Sequence, residues 1–308
     1  MIALLAPGQG SQSAGMLAPW LALPGAGGRV AEWSTATGLD LERLGTTASA
    51  AEITDTAVTQ PLVVALALLA YEELNRTGHA PLDALTAGHS VGELAAAAIA
   101  GVLSADDAVT LAAVRGAAMG AACAAERTGM SAVVGGDPEQ VLARLAELGL
   151  DAANRNGAGQ VVAAGRTAAL AELAEHPPTK VRVIPLAVAG AFHTAFMAPA
   201  LDAVAARAAQ IAPADPVRPL LSNADGAQVS DGAEVLRRIV DQITRPVRWD
   251  LCTQTMRRAG VSAVVELPPA GTLVGLARRE LKGTPTVALK TPDDLATLAT
   301  HAPSAVPG

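Results

Sequence analysis

Short apolar runs bounded by glycine alternate with longer amphipathic stretches along most of this 308-residue chain. Residues 2–6, IALLA, are followed by the glycine-rich PGQGSQ of 7–12, the pattern of a short buried strand and a loop. The apolar run after Pro61 predicts a helix with proline in its first turn, ending near Gly78. Residues 82–87 read as a second strand that runs into TAGHSVGEL at 86–94, and 93–100 continue as a helix of small residues. SADD at 104–107 opens a further helix, with Ser104 as cap and acids in the first turn, that ends before Gly129.

From Met130 the rhythm changes. MSAVVGG, LDAANRN, QVVAAG and KVRVIPLAV read as strands, and PEQVLARLAELG and RTAALAELAEH as helices between them. The order β-α-β-β-α-β is that of a ferredoxin-like split βαβ unit, so residues 128–188 are expected to form a small inserted subdomain. Beyond it the α/β alternation resumes: a helix in FMAPALDAVAARAAQI, a strand and turn in PLLSNADG, helices in GAEVLRRIVDQIT and WDLCTQTMRRAG, a strand in VSAVVEL and a helix in TLVGLARREL. Residues 1–127 and 189–300 are therefore expected to form one discontinuous α/β core around a mostly parallel sheet covered on both faces. The Pro- and Ala-rich residues 301–308 are expected to be a mobile tail.

Composition narrows the class. Apolar residues make up 51% of the chain and aromatics only 2%, so the core is expected to rely on closely packed small side chains. The net charge of −7 and the missing aromatic platforms argue against nucleic acid as a partner. Cys123 and Cys252 lie far apart in helical patterns without metal-ligand spacing, which fits a reducing compartment. The N-terminus lacks a basic region and a long apolar run, and Pro61 interrupts the longest apolar stretch, leaving a run too short for a bilayer. A soluble cytoplasmic protein with no membrane association is expected.

The candidate chemistry begins at Ser90. G-x-S-x-G preceded by a strand and followed by a helix is the context of a nucleophile elbow, which makes the core α/β-hydrolase-like. The competing reading is a serine that merely caps the following helix. A serine nucleophile needs a base. Of five histidines, His79, His176 and His301 read as surface residues and His89 as part of the turn, which leaves His193 in AVAGAFHTAFM as the candidate base. No acid between Ser90 and His193 sits at an obvious strand end, so a Ser–His dyad oriented by a backbone carbonyl is feasible. Arg115 lies among small and apolar neighbours, where a buried guanidinium calls for an anionic partner.

The motifs PGQGSQSAGM, TQPL, GHSVGELAA, VRGAAM, NRNGAGQVVAAG, GAFHTAFM, NADG and PVRW occur in this order over most of the chain. The sequence thereby resembles the malonyl-CoA:acyl carrier protein transacylases, discrete bacterial acyltransferases related to the acyltransferase domains of fatty acid and polyketide synthases. The resemblance implies a malonyl ester on Ser90, His193 as general base and acid, and the Gln242 backbone carbonyl orienting His193. It implies an oxyanion hole from the N–H groups of Gln9 and Val91, and Arg115 on the malonyl carboxylate. A Phe at 192 implies preference for malonyl over methylmalonyl; Met119 and Gln60 are candidate pocket residues, and Asn154, Asn156 and Gln160 match a polar segment without an assigned role. Val91, Arg248, Leu267 and Pro268 depart from the commoner pattern.

The resemblance implies malonyl-CoA and a phosphopantetheine-bearing acyl carrier protein as substrates; no bound cofactor or metal is expected, and the free-standing length suggests a monomer. Because such carriers are acidic, docking is expected at a local basic patch, with Arg237/Arg238, Arg257/Arg258 or Arg278/Arg279 with Lys282 as candidates, each equally readable as a solvated helix face. The alternatives are a serine esterase or thioesterase on a similar elbow, and a non-catalytic docking subunit.

Overall fold

Among the described residues, eight strands, β1 (Ile2–Ala6), β2 (Leu85–Gly88), β3 (Thr128–Gly135), β4 (Asp151–Gly157), β5 (Gln160–Arg166), β6 (Val181–Pro185), β7 (Ala263–Glu266) and β8 (Thr286–Ala288), form two separate sheets. The structure is a computed structural model that describes residues 1–81 and 83–298; the expected tail at 301–308 lies outside the described residues. The first sheet runs β2-β1-β7-β8 and is parallel throughout, with Ala6 opposite Gly88 and Leu5 opposite Glu266. Strand β1 is buried on both sides. Ile2, Leu4 and Ala6 face the larger apolar cluster with Leu62 and Leu94, whereas Ala3 and Leu5 face a second cluster with Trp249, Cys252 and Leu276. A strand covered on both faces has no polar side to present, which is why its sequence is a continuous apolar run.

The second sheet has the order β4-β5-β3-β6 and is antiparallel at every pairing. Its strands and the helices Pro138–Glu147 and Thr167–Glu175 follow one another in the expected β-α-β-β-α-β order. Val133 and Ala163 on one face pack with Val141, Leu145, Leu170 and Leu173 of those helices. Met130, Val162 and Ala164 on the other face join the large cluster. The edge strand β4 is tied back to the larger part by Arg155 N–H to Val247 O at 2.9 Å and Val247 N–H to Ala153 O at 2.8 Å.

Several boundaries differ from the sequence pattern. The helix expected to start at Pro61 runs Thr56–Arg76, because the Asp55 carboxylate caps it by accepting the Ala57 N–H at 2.9 Å. Pro61 then lies in the second turn, where it forfeits the one bond its N–H would have made to the Ala57 carbonyl without ending the helix. The resulting 21-residue helix is long and apolar enough to cross a membrane by length and composition, contrary to the expectation from Pro61, and 83% of its apolar window is buried inside the protein. Residues 195–208 do not make one helix: Ala195–Ala200, with Pro199 inside it, is 3-10, and Leu201–Ala208 is α. The strand expected in PLLSNADG is reduced to single bridges, Leu220 to Thr86 and Leu221 to Gln228. The helices Ala26–Thr37 and Leu41–Thr46 and the strand β8 were not expected from the pattern.

Candidate active site

The turn between β2 and the helix Gly92–Ile99 is too tight for side chains at its flanks. A Cβ on Gly88 would lie 2.0 Å from the Gly92 carbonyl, one on Gly92 2.4 Å from Ala6 O, and one on Gly8 2.4 Å from His89 O. The glycines therefore let the elbow, β1 and the loop after β1 close on one another. Ser90 occupies the left-handed region at φ 54°. The helix-capping reading fails, because Val91 is the N-cap residue and no side chain caps that helix. Ser90 Oγ instead faces His193 Nε2 at 2.7 Å.

His193 also has a positive φ, 62°, in a loop braced by Ala191 N–H to Thr128 Oγ1 at 3.1 Å and Thr194 Oγ1–H to Ala191 O at 2.7 Å. Non-glycine residues in this region are uncommon and concentrate at functional sites. The Nδ1 of His193 lies 2.8 Å from the carbonyl oxygen of Gln242. That contact sets Nδ1 as the protonated nitrogen and leaves the Nε2 lone pair on the serine. Burial, then the nearby Arg115 charge, pushes the imidazole down to about 3, against the pull of the Gln242 carbonyl. The ring is thus neutral and basic at Nε2 at neutral pH.

Arg115 is 1% exposed on the helix Ala105–Ala122. It donates to Gln60 Oε1 at 2.6 Å, to Gln242 Oε1 at 3.0 Å and toward Ser90 Oγ at 3.4 Å, while its Nε–H has no partner. Burial lowers it to about 10, opposed by the charge of Glu93. It makes no ion pair within 4.0 Å among the described residues. A buried guanidinium with a free donor beside the serine is a seat for an anionic group.

Ser90, His193 and Arg115 open onto a cavity of about 300 Å³. Gln9, Gln60, Met119 and Phe192 also line it, as do Asn154, Asn156 and Gln160 from the antiparallel sheet, so all the expected pocket residues meet there. Val91 and Gln242 stand behind the lining, at the elbow and beneath His193. The N–H groups of Gln9 and Val91 donate to no protein acceptor among the described residues. Asn156, whose role the sequence left open, accepts from His89 Nε2 through Oδ1 at 2.9 Å and donates through Nδ2 to Gln160 Oε1 at 3.4 Å. As Oδ1 is an acceptor, His89 Nε2 is the donor, and His89 is fixed away from the serine, packed 5.5 Å from the Trp249 ring.

Sequence reasoning missed three buried polar residues. Glu93 and Asn223 form a network behind the elbow: Asn223 Oδ1 accepts the Ser90 N–H at 2.8 Å, and Asn223 Nδ2 donates to Gly88 O at 2.8 Å. Glu266, fully buried, accepts the N–H groups of Gly271, Leu273 and Val274 at 2.9–3.0 Å and so anchors the helix Thr272–Glu280, whose Leu276 and Arg279 line the cavity. Glu93 follows the serine within GHSVGEL, but only the fold reveals that it points inward.

One candidate docking pair is neutralised internally, and one member of a second. Arg237 bonds Glu234 and Asp241, and Arg238 bonds Glu234 and Asp225. Arg257 bonds Glu280, whereas Arg279 sits at the cavity. Arg248, one of the departures from the common pattern, pairs with Asp250 at 2.9 Å. Among the described residues, Glu172, Glu175 and His176 could together offer metal ligands, but all three are exposed and Arg144 already bonds Glu172 at 3.2 Å.

Comparison with known proteins places this geometry. The family described as "Acyl transferase domain" matches residues 4–298. A malonyl CoA-acyl carrier protein transacylase of Mycobacterium bovis is 64% identical over 300 residues, 97% of this chain and 99% of the relative. The crystal structure of a protein named MCAT from Mycobacterium tuberculosis superposes with a TM-score of 0.95 at 64% identity, covering 97% and 99% of the two chains. A malonyl-transacylase solved in complex with its type II polyketide synthase acyl carrier protein superposes with a TM-score of 0.91 at 30% identity, covering 98% and 99%. Similarity at this level runs along nearly the whole length, and the chain belongs to the acyl transferase family, among the malonyl CoA-acyl carrier protein transacylases, as an acyltransferase enzyme.

Proposed function

We propose that this enzyme moves a malonyl group from malonyl-CoA to the phosphopantetheine thiol of an acyl carrier protein, in a ping-pong cycle through a malonyl ester on Ser90. The observation that carries the reading is the dyad itself: Ser90 Oγ on His193 Nε2 at 2.7 Å, with Nδ1 held by the Gln242 carbonyl at 2.8 Å, beside the free Nε–H of Arg115. In the first half, His193 Nε2 takes the Ser90 proton as Oγ attacks the thioester carbonyl. The N–H groups of Gln9 and Val91 receive the oxyanion, a class of interaction whose single donors are each worth about 100- to 1000-fold in rate. The intermediate collapses by breaking the C–S bond, and His193 returns the proton to the departing CoA thiolate. In the second half the carrier thiol gives its proton to His193 and attacks the ester, and Ser90 leaves with that proton.

Arg115 holds the malonyl carboxylate through charge-assisted hydrogen bonds. Phe192, buried beside His193, crowds an added methyl and favours malonyl. Met119, Gln60, Asn154, Asn156 and Gln160 shape the acyl and pantetheine path. We read residues 1–127 and 189–300 as an α/β-hydrolase-like core and 128–188 as a ferredoxin-like subdomain, in a cytoplasmic monomer that works without a bound cofactor.

The test is mass spectrometry of the protein mixed with malonyl-CoA. An ester-sized mass increase on wild type, absent from Ser90→Ala and discharged by holo carrier protein, is expected. No increase, or one that persists in Ser90→Ala, refutes the reading; discharge to water as readily as to carrier would mean a thioesterase.

A further inference from the structure

Behind the dyad lies a chain of buried polar groups whose donor and acceptor directions are fixed from both ends. At one end is Arg115, which can only donate. Gln242 must therefore turn its Oε1 toward Arg115, at 3.0 Å, which leaves its Nε2–H₂ facing the other way. There it meets Glu93 Oε2 and Asn223 Oδ1, the latter at 3.2 Å. Glu93 Oε1 in turn accepts the backbone N–H of Asn223 at 2.6 Å. Asn223 is thereby held with Oδ1 on the Ser90 N–H and Nδ2 on Gly88 O. Both contacts on Glu93 come from N–H donors, the arrangement of a carboxylate that accepts at each oxygen.

We propose that Glu93 is a positioning residue for the acyl transfer: by accepting the side-chain amide of Gln242 and the backbone N–H of Asn223 it holds both residues in place, and through them it sets the carbonyl that orients His193 and the backbone of the Ser90 elbow. The inference rests on the reading of Ser90 and His193 as the reacting pair. Glu93 itself is 5% exposed, and its carboxyl bonds neither reacting side chain, although its backbone N–H donates to Ser90 O at 2.9 Å. Its place in the chain explains why a carboxyl is retained there although burial pushes it up to about 8, with the Asn223 N–H and Arg115 favouring the charged form. An amide at 93 has nearly the same shape but only one acceptor oxygen. It must point its own N–H₂ at one of the two donors, so either Gln242 or Asn223 loses its partner.

The experiment uses Glu93→Gln in the full chain, with wild type alongside. At pH 9, where the Glu93 carboxyl is ionised, single-turnover acylation of Ser90 by saturating malonyl-CoA is expected to fall about 100-fold, the cost of a reacting group misplaced by about 1 Å. In protein labelled with ¹⁵N-histidine, the His193 Nδ1–H resonance, identified by its loss in His193→Ala, is expected to shift in Glu93→Gln, since its acceptor is the Gln242 carbonyl. A residue that merely fills space would leave that resonance in place. A folded Glu93→Gln with wild-type rate and resonance overturns the proposal.

Wild type supplies a second arm should the variant fail to fold. Protonating Glu93 removes an acceptor just as the substitution does, so the same resonance should move in a titration from pH 5 to 9.5. The charged or titratable groups around Glu93 are Arg115, Arg238, Asp225 and Cys252, and His193 itself is already neutral there. A resonance that stays fixed while the side-chain ¹³C carboxyl shift of Glu93 records its protonation overturns the proposal. The resonance needs no acyl donor, so an absence of any acyl-Ser90 in wild type would refute the proposed function and leave this test standing.

Discussion

Replacing Arg115 with alanine separates substrate recognition from the rest of the site. The guanidinium is 1% exposed, and its Nε–H has no partner while its other end is held by Gln60 and Gln242. A substrate carboxylate seated on it gains two charge-assisted hydrogen bonds, each worth about 1.5–3 kcal/mol. Even the lower figure for both, about 3 kcal/mol, corresponds to a factor of about 100 in kcat/KM. An acetyl group has no carboxylate and gains none of this. The assay is single-turnover acylation of Ser90 by malonyl-CoA and by acetyl-CoA, for wild type and Arg115→Ala. The ratio of the two kcat/KM values is expected to fall about 100-fold. The ratio is the quantity to read, because alanine also strands Gln60 Oε1 and Gln242 Oε1 and will slow both substrates together. A ratio that does not change, with both rates lowered equally, would mean that Arg115 only braces the two glutamines.

Because burial holds His193 at about 3, the acylation rate should pass through no step near the ordinary imidazole value between pH 5 and 7, and a sigmoid loss of rate centred near 6.5 would refute the neutral-base reading. The same lowered value makes the unfolded chain bind the proton first, so unfolding free energy should decline as pH drops from about 6.5 toward 3, by up to about 1.4 kcal/mol per pH unit from this group, measurable by urea titration. Gly88→Ala would drive a Cβ to 2.0 Å from the Gly92 backbone and should cost about 3 kcal/mol or more; a wild-type denaturation midpoint with full activity would contradict the packing argument. Phe192→Ser should raise the methylmalonyl-to-malonyl rate ratio by about 10- to 200-fold, the range for a small steric change in an apolar pocket, and an unchanged ratio would remove Phe192 from the specificity argument.

The sequence by itself determined the local pieces. The apolar run at 2–6, the glycines around Ser90 and the order of elements from 128 to 188 are dictated by periodicity and by backbone demands that few residues meet. His193 is legible because it sits in an uncharged setting between an apolar strand and a helix, whereas the other histidines read as surface residues or as part of the serine turn. What local pattern could not decide is which way a polar side chain turns. The reduction of the 220–221 strand to bridges follows from a partner distant in sequence, Thr86. The same holds for Glu93, Asn223 and Glu266, which read as ordinary surface polars until the fold buries them. Only tertiary structure brings Gln242 under His193, 49 positions away, and Asn223 under Ser90, 133 positions away. Burial then removes water as a partner, so each donor must find an acceptor, and that requirement, which no short stretch of sequence encodes, is what orders the site.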